Sequence, residues 1–386
     1  MDFLPSHADR AHALYAPSSM KRLMACPGSF KLSEGLEQKS NAYAEEGTEC
    51  HEAAAAILEG DSYEKATANL SDEQIWIVDE YTNYIFALVD RMIDKYGKEN
   101  VETWVEHRVQ SNDHADNSGT ADFIIYIKPL RTVAIIDLKA GFIEVDVGTV
   151  EDPNPQLANY GFMTLDTHDL WQKVDKVRLT IVQPRCFEQP QSLVMPVGKL
   201  NKFSGRVLDT IIDIEEGNVT LAAGDHCKYC PAKGRCPELR KSARDSARNA
   251  FTDTPIQKIP EDELITVLEE AEKMVAHLEG VRAFVARELE KGRLRGKGWK
   301  LVAKRAMSKW TEEKKEEMLG LIVDKTGSNR LAFKDKILTP LQLEAALKKA
   351  GAEIDLKPFY TKESSGVTLA RENDKRTEVK PDVFGD

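Results

Sequence analysis

Hydrophobic spacing divides the chain into stretches of different period. Residues 18–36 read as a short helix and turn, with Ser18 or Ser19 as N-cap. Residues 42–59, AYAEEGTECHEAAAAILE, read as a helix that Gly60 closes. Between 72 and 96, Ile75, Val78, Tyr81, Ile85, Leu88 and Met92 recur in steps of three and four, the mark of an amphipathic helix, and Gly97 ends it. The period then falls to two. ETWVEHRVQ, TADFIIYIK and TVAIIDLKA are β-branched and aromatic runs with turn residues between them, and predict three strands. A helix at about 155–166, a strand KVRLTIVQP ending at Pro184 and a helix near 199–215 follow. That order predicts an α/β core with a mixed sheet.

The pattern then changes. Residues 261–291 predict a long helix with Leu264, Val267, Leu268, Ala271, Met274, Val275, Leu278, Val281 and Phe284 on one side, a stripe expected to pack in a core or against another helix. Residues 298–304 suggest a strand. The remainder mixes short helices with turns and ends in RENDKRTEVKPDVFGD, charged and nearly without apolar anchors, so disorder is expected over 375–386.

Composition narrows the class. At 386 residues the chain exceeds the roughly 250–300 at which one core stops growing. A hydrophobic fraction of 41 % with 30 % charged residues describes a soluble globular protein. No run approaches the roughly 18 apolar residues of a membrane span. The N-terminal MDFLPSHADRAHALY has no signal-peptide pattern, so a cytoplasmic location is expected. The net charge of −11 argues against a basic coat for nucleic acid but leaves room for a local groove.

Six cysteines are too few for a disulfide scaffold at this length. Cys227, Cys230 and Cys236 form C-x2-C-x5-C in HCKYCPAKGRCP. Soft thiolates at this spacing select zinc or iron–sulfur, and three leave either one ligand short. Cys26, Cys50, Cys186 and His226 are candidates for the fourth. Cys26 shares a following proline with Cys230 and Cys236, which keeps it out of the α region. Cys50 and Cys186 read as plain buried thiols.

The acids of the central strands carry the chemistry. In TVAIIDLKA, Val133, Ile135, Asp137 and Lys139 share one face and Ala134, Ile136 and Leu138 the other. A hairpin around Lys128–Thr132 would make the preceding strand antiparallel and bring Asp122 beside Asp137. Two carboxylates at one sheet end form a hard-oxygen site for Mg²⁺ or Mn²⁺. A lysine beside them can orient water or stabilise developing charge, the chemistry of metal-assisted phosphodiester hydrolysis. Gln156 and Tyr160, at i and i+4, fall on one helix face near these ends. His51 lies on the helix before the sheet. Glu106 faces away from Val105 and Val109 and is a third candidate acid, while His107 shares their apolar face and is weaker. The segment KGRLRGKGWKLVAKR at 291–305 holds seven basic residues and no acid. Arg293, Arg295 and Lys297 could meet phosphates there and Trp299 could stack on a base; otherwise it is a solvated loop leading into a strand.

Histidine on an N-terminal helix, then G-x-x-D, D-x-K and Q-x-x-x-Y, together resemble the RecB-like branch of the PD-(D/E)xK nucleases, which includes CRISPR-associated exonucleases and the AddAB nuclease domain. The motifs are His51, Gly119–Asp122, Asp137–Lys139 and Gln156–Tyr160. SSMKRLMACPGSFKL and VTLARENDKR also look like an uncharacterised phage and prophage family of that superfamily. The nuclease resemblance spans about residues 18–240, and Asp137 stands where many relatives have glutamate. It implies a restriction-endonuclease-like α/β core, a mixed central sheet flanked by helices, over 1–245. A 4Fe–4S staple of Cys26, Cys227, Cys230 and Cys236 would tie its ends, with Zn²⁺ as runner-up. An α-rich region over 246–374 would follow. The resemblance further implies His51, Asp122, Asp137 and the Leu138 carbonyl as Mg²⁺ or Mn²⁺ ligands, and Lys139 positioning the attacking water. Gln156 and Tyr160 would support the site, with Glu106 as an additional acid.

These features lead to a metal-dependent DNA nuclease, an exonuclease on ends or single strands in phage recombination, replication or DNA processing. DNA is the expected partner, no membrane is involved, and a phage single-strand-binding or annealing protein and a homo-oligomer fit the same setting. A non-catalytic DNA-binding or scaffold protein on this fold, and a zinc-stabilised structural protein, remain as alternatives.

Overall fold

The computed structural model describes residues 13–36, 42–250, 259–304, 307–333, 337–363 and 366–379. Two compact units, Met1–His277 and Leu278–Asp386, divide the chain.

In the first unit, helices α1 (Pro17–Ala25), α2 (Ser29–Ser33), α3 (Ala42–Leu58), α4 (Tyr63–Thr67) and α5 (Asp72–Tyr96) precede the sheet. Neither Ser18 nor Ser19 caps α1. Ala16 holds the cap position without a side-chain bond, and Pro17 opens the helix, where its missing amide costs nothing. A Ser71/Gln74 capping box starts α5, and Gly97 ends it at φ 86°.

Strands β1 (Val101–Gln110), β2 (Ser118–Ile127), β3 (Thr132–Leu138), β4 (Lys176–Val182) and β5 (Gln191–Pro196) lie in that order in one sheet. All neighbours are antiparallel except β3 and β4, which run parallel with α6 (Pro155–Thr167) in the connection. The expected mixed sheet is therefore present. β5 was not expected from the sequence. Pro190 and Pro196 bracket it, and proline is tolerated on a sheet edge.

Each sheet face buries its own cluster. Ile77, Val78, Tyr81 and Ile85 of α5 meet Ile125, Ile127, Ala134, Ile136 and Leu138 on one side. On the other, α1, α6 and α7 (Val197–Glu216) bring Met20, Leu23, Leu157, Phe162, Leu200 and Phe203 against Ile124, Val133, Ile135, Leu179 and Ile181. Each Val, Leu, Ile, Phe or Met among them contributes roughly 1.5–3 kcal/mol by leaving water.

After α8 (Pro237–Ala250) comes α9 (Glu261–Glu290), within which the division between the units falls. The apolar stripe expected to be packed is largely exposed there, at Leu268, Val275, Leu278, Val281 and Phe284. The second unit holds β6 (Trp299–Ala303), β7 (Met307–Trp310), α10 (Lys315–Thr326), α11 (Pro340–Lys349), β8 (Tyr360–Glu363) and β9 (Val367–Arg371). β6 pairs with β9 and β7 with β8, so the region expected to be α-rich also carries strands. Its core joins Met318, Ile322, Leu343, Leu347, Leu356 and Phe359. Residues 374–379 run along β6: Lys300 Nζ donates to Asp374 O and Arg376 O, and Val379 N to Leu301 O. Residues 380–386 lie outside the described residues. No helix among the described residues is long and apolar enough to cross a membrane.

Candidate metal centre

Three acids stand in a row across the sheet. The pairs Val105–Phe123 and His107–Ala121 set Glu106 opposite Asp122, and the pair Phe123–Ile136 sets Asp122 next to Asp137. Strands β1 and β2 both reverse their side-chain alternation at this row. In β1, Trp104 and Val109 join one core although their positions differ in parity, while Val105 joins the other. In β2, Ala121 and Ile124 share a core and Phe123 joins the opposite one. Glu106 takes up the reversal with φ 43°, the left-handed region. Because both strands turn over together, pairing resumes in register. His107 therefore does not share a face with Val105, as the alternation predicted. Its ring stacks on His168 at 5.0 Å, on the side of Trp104.

The reversal swings the Asp122 carboxylate toward the sheet end. The β2–β3 ladder stops at Phe123–Ile136, and Asp122 Oδ2 accepts the Leu138 amide at 2.8 Å in place of a backbone carbonyl. The same oxygen lies 3.3 Å from His51 Nδ1 of α3. Ligand atoms of His51, Glu106 and Asp122 all fall within 4.8 Å of one another. Asp137 stands beside this set. Its Oδ2 is 2.7 Å from Lys139 Nζ and its Oδ1 accepts from Gln156 Nε2 at 3.2 Å, while Lys139 donates to Gln156 Oε1 at 3.2 Å. Pro155 at the first turn of α6 and the Asn154 cap, which accepts the Gln156 and Leu157 amides, fix Gln156 in place. Tyr160 is 7 % exposed, one turn on. Gly119 is sterically required: a Cβ there would stand 2.8 Å from Pro17 Cδ and 3.0 Å from Tyr160 Cε1.

Electrostatics follow from burial and these partners. Burial opposes a charged His51 ring, but Asp122 beside it, through charge and hydrogen bond, pushes its pKa up to about 9. Burial would raise Asp122, and His51 and Lys139 overcome it to hold the carboxyl below its usual range. Burial pushes Asp137 up, with Lys139 opposing and Asp122 adding. Burial would lower Lys139, yet the two aspartates keep it above the usual lysine value, so it stays an ammonium. The Tyr160 hydroxyl is raised, first by burial.

Two carboxylates and an imidazole within ligand distance suit a hard divalent cation with one nitrogen ligand. Asp137 Oδ2 is buried with Lys139 Nζ 2.7 Å away as its partner, and Asp137 adds a further carboxylate beside this set. The residues present therefore fit a metal ion. A family profile described as a protein of unknown function, DUF2800, matches residues 12–377. The chain belongs to the DUF2800 family. Among solved structures, this DUF2800 chain is similar to a "Putative exonuclease" from Eubacterium rectale at 11 % identity, over 66 % of this chain and 96 % of that one, with a TM-score of 0.34. It is also similar to SSO0001 at 13 % identity, over 56 % and 95 %, with a TM-score of 0.24. Neither likeness is close enough to bear on fold or activity.

The cysteines of the DUF2800 chain are free thiols. Cys50 belongs to the core of α3 and α5, where burial pushes it up to about 11. Cys186 donates to Gly141 O. Of the candidates for a fourth ligand, Cys26 and His226 lie at the C-x2-C-x5-C loop. Ala222 N donates to Cys26 Sγ at 3.4 Å, and hydrogen bonds to Cys227 and Cys26 push His226 up to about 10. Burial would raise Cys26, but His226 and the Ala222 amide bring it below the usual thiol value. Cys227 and Cys236 pack with Leu239. Among the described residues no three thiols lie within 4.8 Å of one another, wider than the ~3.8 Å spacing that ~2.3 Å Zn–S bonds impose.

Of the basic segment, Arg293, Arg295 and Lys297 are exposed. Arg293 pairs with Glu288 at 2.6 Å, and the Arg371 guanidinium lies 4.3 Å from the Trp299 ring centroid. Gln183 and Arg185, which hold the backbone just beyond Lys139, were not singled out by the sequence. An arginine directly after the strand-ending Pro184 was the available signal.

Proposed function

We propose that this DUF2800 chain is a divalent-metal-dependent nuclease that hydrolyses phosphodiester bonds of DNA ends or single strands. The observation that carries this reading is the convergence of His51, Glu106 and Asp122 to within 4.8 Å, beside the Asp137–Lys139 pair at 2.7 Å. His51, Asp122, Asp137 and the Leu138 carbonyl would hold Mg²⁺ or Mn²⁺, with Glu106 as an added carboxylate. The ion would supply Lewis-acid stabilisation of the phosphate and a lowered pKa for bound water. Lys139 cannot serve as a base while it holds its proton. It instead orients a water and offsets charge gathering on the phosphate oxygens. Gln156 holds Asp137 and Lys139 in mutual register, and Tyr160 closes the site behind it.

Asp137→Ala and Lys139→Ala each abolish Mg²⁺- or Mn²⁺-dependent cleavage of end-labelled DNA while far-UV circular dichroism is unchanged. Cleavage that survives both changes refutes the reading. Binding without cutting under every metal favours the non-catalytic DNA-binding alternative.

Cys26, Cys227, Cys230 and Cys236 are proposed as ligands of a 4Fe–4S cluster. Supporting it, the N-terminal segment and the cysteine loop are joined by Gly28 N to Thr220 O, Ala222 N to Cys26 Sγ, and Arg235 to Leu32 O. Anaerobically purified protein is expected to be brown. A colourless protein with one bound zinc points to the runner-up, with His226 as a candidate ligand.

A further inference from the structure

The chain leaves the sheet after Lys139 and turns outward two large apolar side chains in succession, Phe142 and Ile143, 60 % and 59 % exposed. Single exposed apolar residues are ordinary. Two adjacent ones on a loop that buried side chains hold still are not, because a mobile loop would fold them out of water. Gln183, 2 % exposed, donates to Gly141 O at 2.9 Å and Ile143 O at 2.8 Å, and accepts from Val145 N at 2.9 Å. The Arg185 side chain, 4 % exposed, donates to Ala140 O at 2.5 Å. Glu46 of α3 and Glu73 of α5 grip the same guanidinium at 2.5 and 3.1 Å. It also lies 4.2 Å from the Phe142 ring centroid, so a cation fixed by two helices orients the ring. The backbone on both sides of the tip is thus set by the segment after β4, which is itself anchored to α5 and to α3, the helix that carries His51.

Phe142 is three peptide units from Lys139, so their Cα atoms are within about 11 Å. At roughly 3.4 Å per nucleotide, a strand with a phosphate at the acids has a base at the tip within about three steps. A flat apolar ring offers no sequence code but stacks on any base whose face is open. Bases inside a duplex have no open face; those of a single strand or frayed end do.

We propose that Phe142 and Ile143 form a rigid stacking platform for an unstacked base near the scissile phosphate, and so direct the site to single-stranded or frayed ends. This rests on reading the metal centre as a nuclease site.

The test uses the full chain with Ca²⁺ in place of Mg²⁺ or Mn²⁺, with a single-stranded oligonucleotide carrying 2-aminopurine, and with a duplex whose two ends are closed by non-nucleotide linkers. Wild-type protein quenches the fluorophore on binding. Phe142→Ala loses the quench and binds the single strand roughly tenfold more weakly; Phe142→Trp restores both, and duplex binding is unmoved. Abasic positions in the oligonucleotide remove the wild-type advantage. Since Phe142 is mostly exposed, the Ala variant keeps its urea midpoint, which is checked in parallel. Unchanged affinity and quench in Phe142→Ala overturns the platform, as does an equal loss on single strand and duplex. The two ideas fail separately. A wild type that binds and quenches but cuts nothing with Mg²⁺ or Mn²⁺ retires the nuclease reading and leaves the platform. A wild type that cuts, with Phe142→Ala binding and quenching like it, does the reverse. No binding and no cutting removes both.

Discussion

Glu106 occupies a conformation that side chains avoid, φ 43° within a strand, where an L-residue loses about 1–2 kcal/mol. What it gains is direction: the turn-over puts its carboxylate with Asp122 and His51. Glu106→Gly is therefore expected to keep or raise the unfolding free energy of the metal-free protein in urea, and Glu106→Val to lower it by roughly 2 kcal/mol, since β-branching fits that region worst. Both weaken Mn²⁺ binding. Equal destabilisation by the two would show that the strain is not there. His51 gives a pH prediction. Its pKa is about 9 in the fold against 6.5 unperturbed. The stabilisation of its pair with Asp122 is thus complete below about pH 6.5 and lost as pH rises through about 9. A metal ion must displace that proton, so Mn²⁺ affinity rises with pH across this window. Calorimetric titration at pH 7 in buffers of differing ionisation enthalpy should show proton release, and none would exclude His51 as a ligand. At this scale the sequence was legible wherever alternation is regular. It paired Asp122 with Asp137 and put Lys139 on the Asp137 face. It misjudged His107 because counting by twos fails across a residue in the left-handed region.

Among elements, length decided what could be read. α5 and α6 show several turns of period and a recognisable start, Ser71 with Gln74 in one and Asn154-Pro155 in the other. β1 to β3 are β-branched and aromatic runs of seven to ten residues. β5 has six residues, β7 and β8 four each and β9 five, too short for a period to declare itself. The pairing of β6 with β9 skips two strands, which no local pattern encodes. The stripe of α9 had a helical period, but periodicity reports which side is apolar and not whether anything covers it. The Arg185 tether was hidden for a related reason: its partners Glu46 and Glu73 are over 100 residues away in the chain.

At the scale of the whole molecule, two units with separate cores predict two calorimetric transitions. Mn²⁺ at about a hundred times its Kd adds roughly 2.7 kcal/mol to whatever binds it. The first unit holds the His51–Glu106–Asp122 set, so its transition alone should move. A single transition, or a shift of both, would mean that the units melt together. The joining of the N-terminal segment to the loop at 220–239 has a further consequence, in time. The ribosome makes roughly 5–20 residues per second. Cys26 and Gly28 therefore emerge on the order of 10–40 s before Ala222 and Thr220, their hydrogen-bond partners. Met20 and Leu23, buried against α6 and α7 in the finished protein, spend much of that interval without them. A segment made early is thus secured late, only when the loop about 200 residues further on has been made.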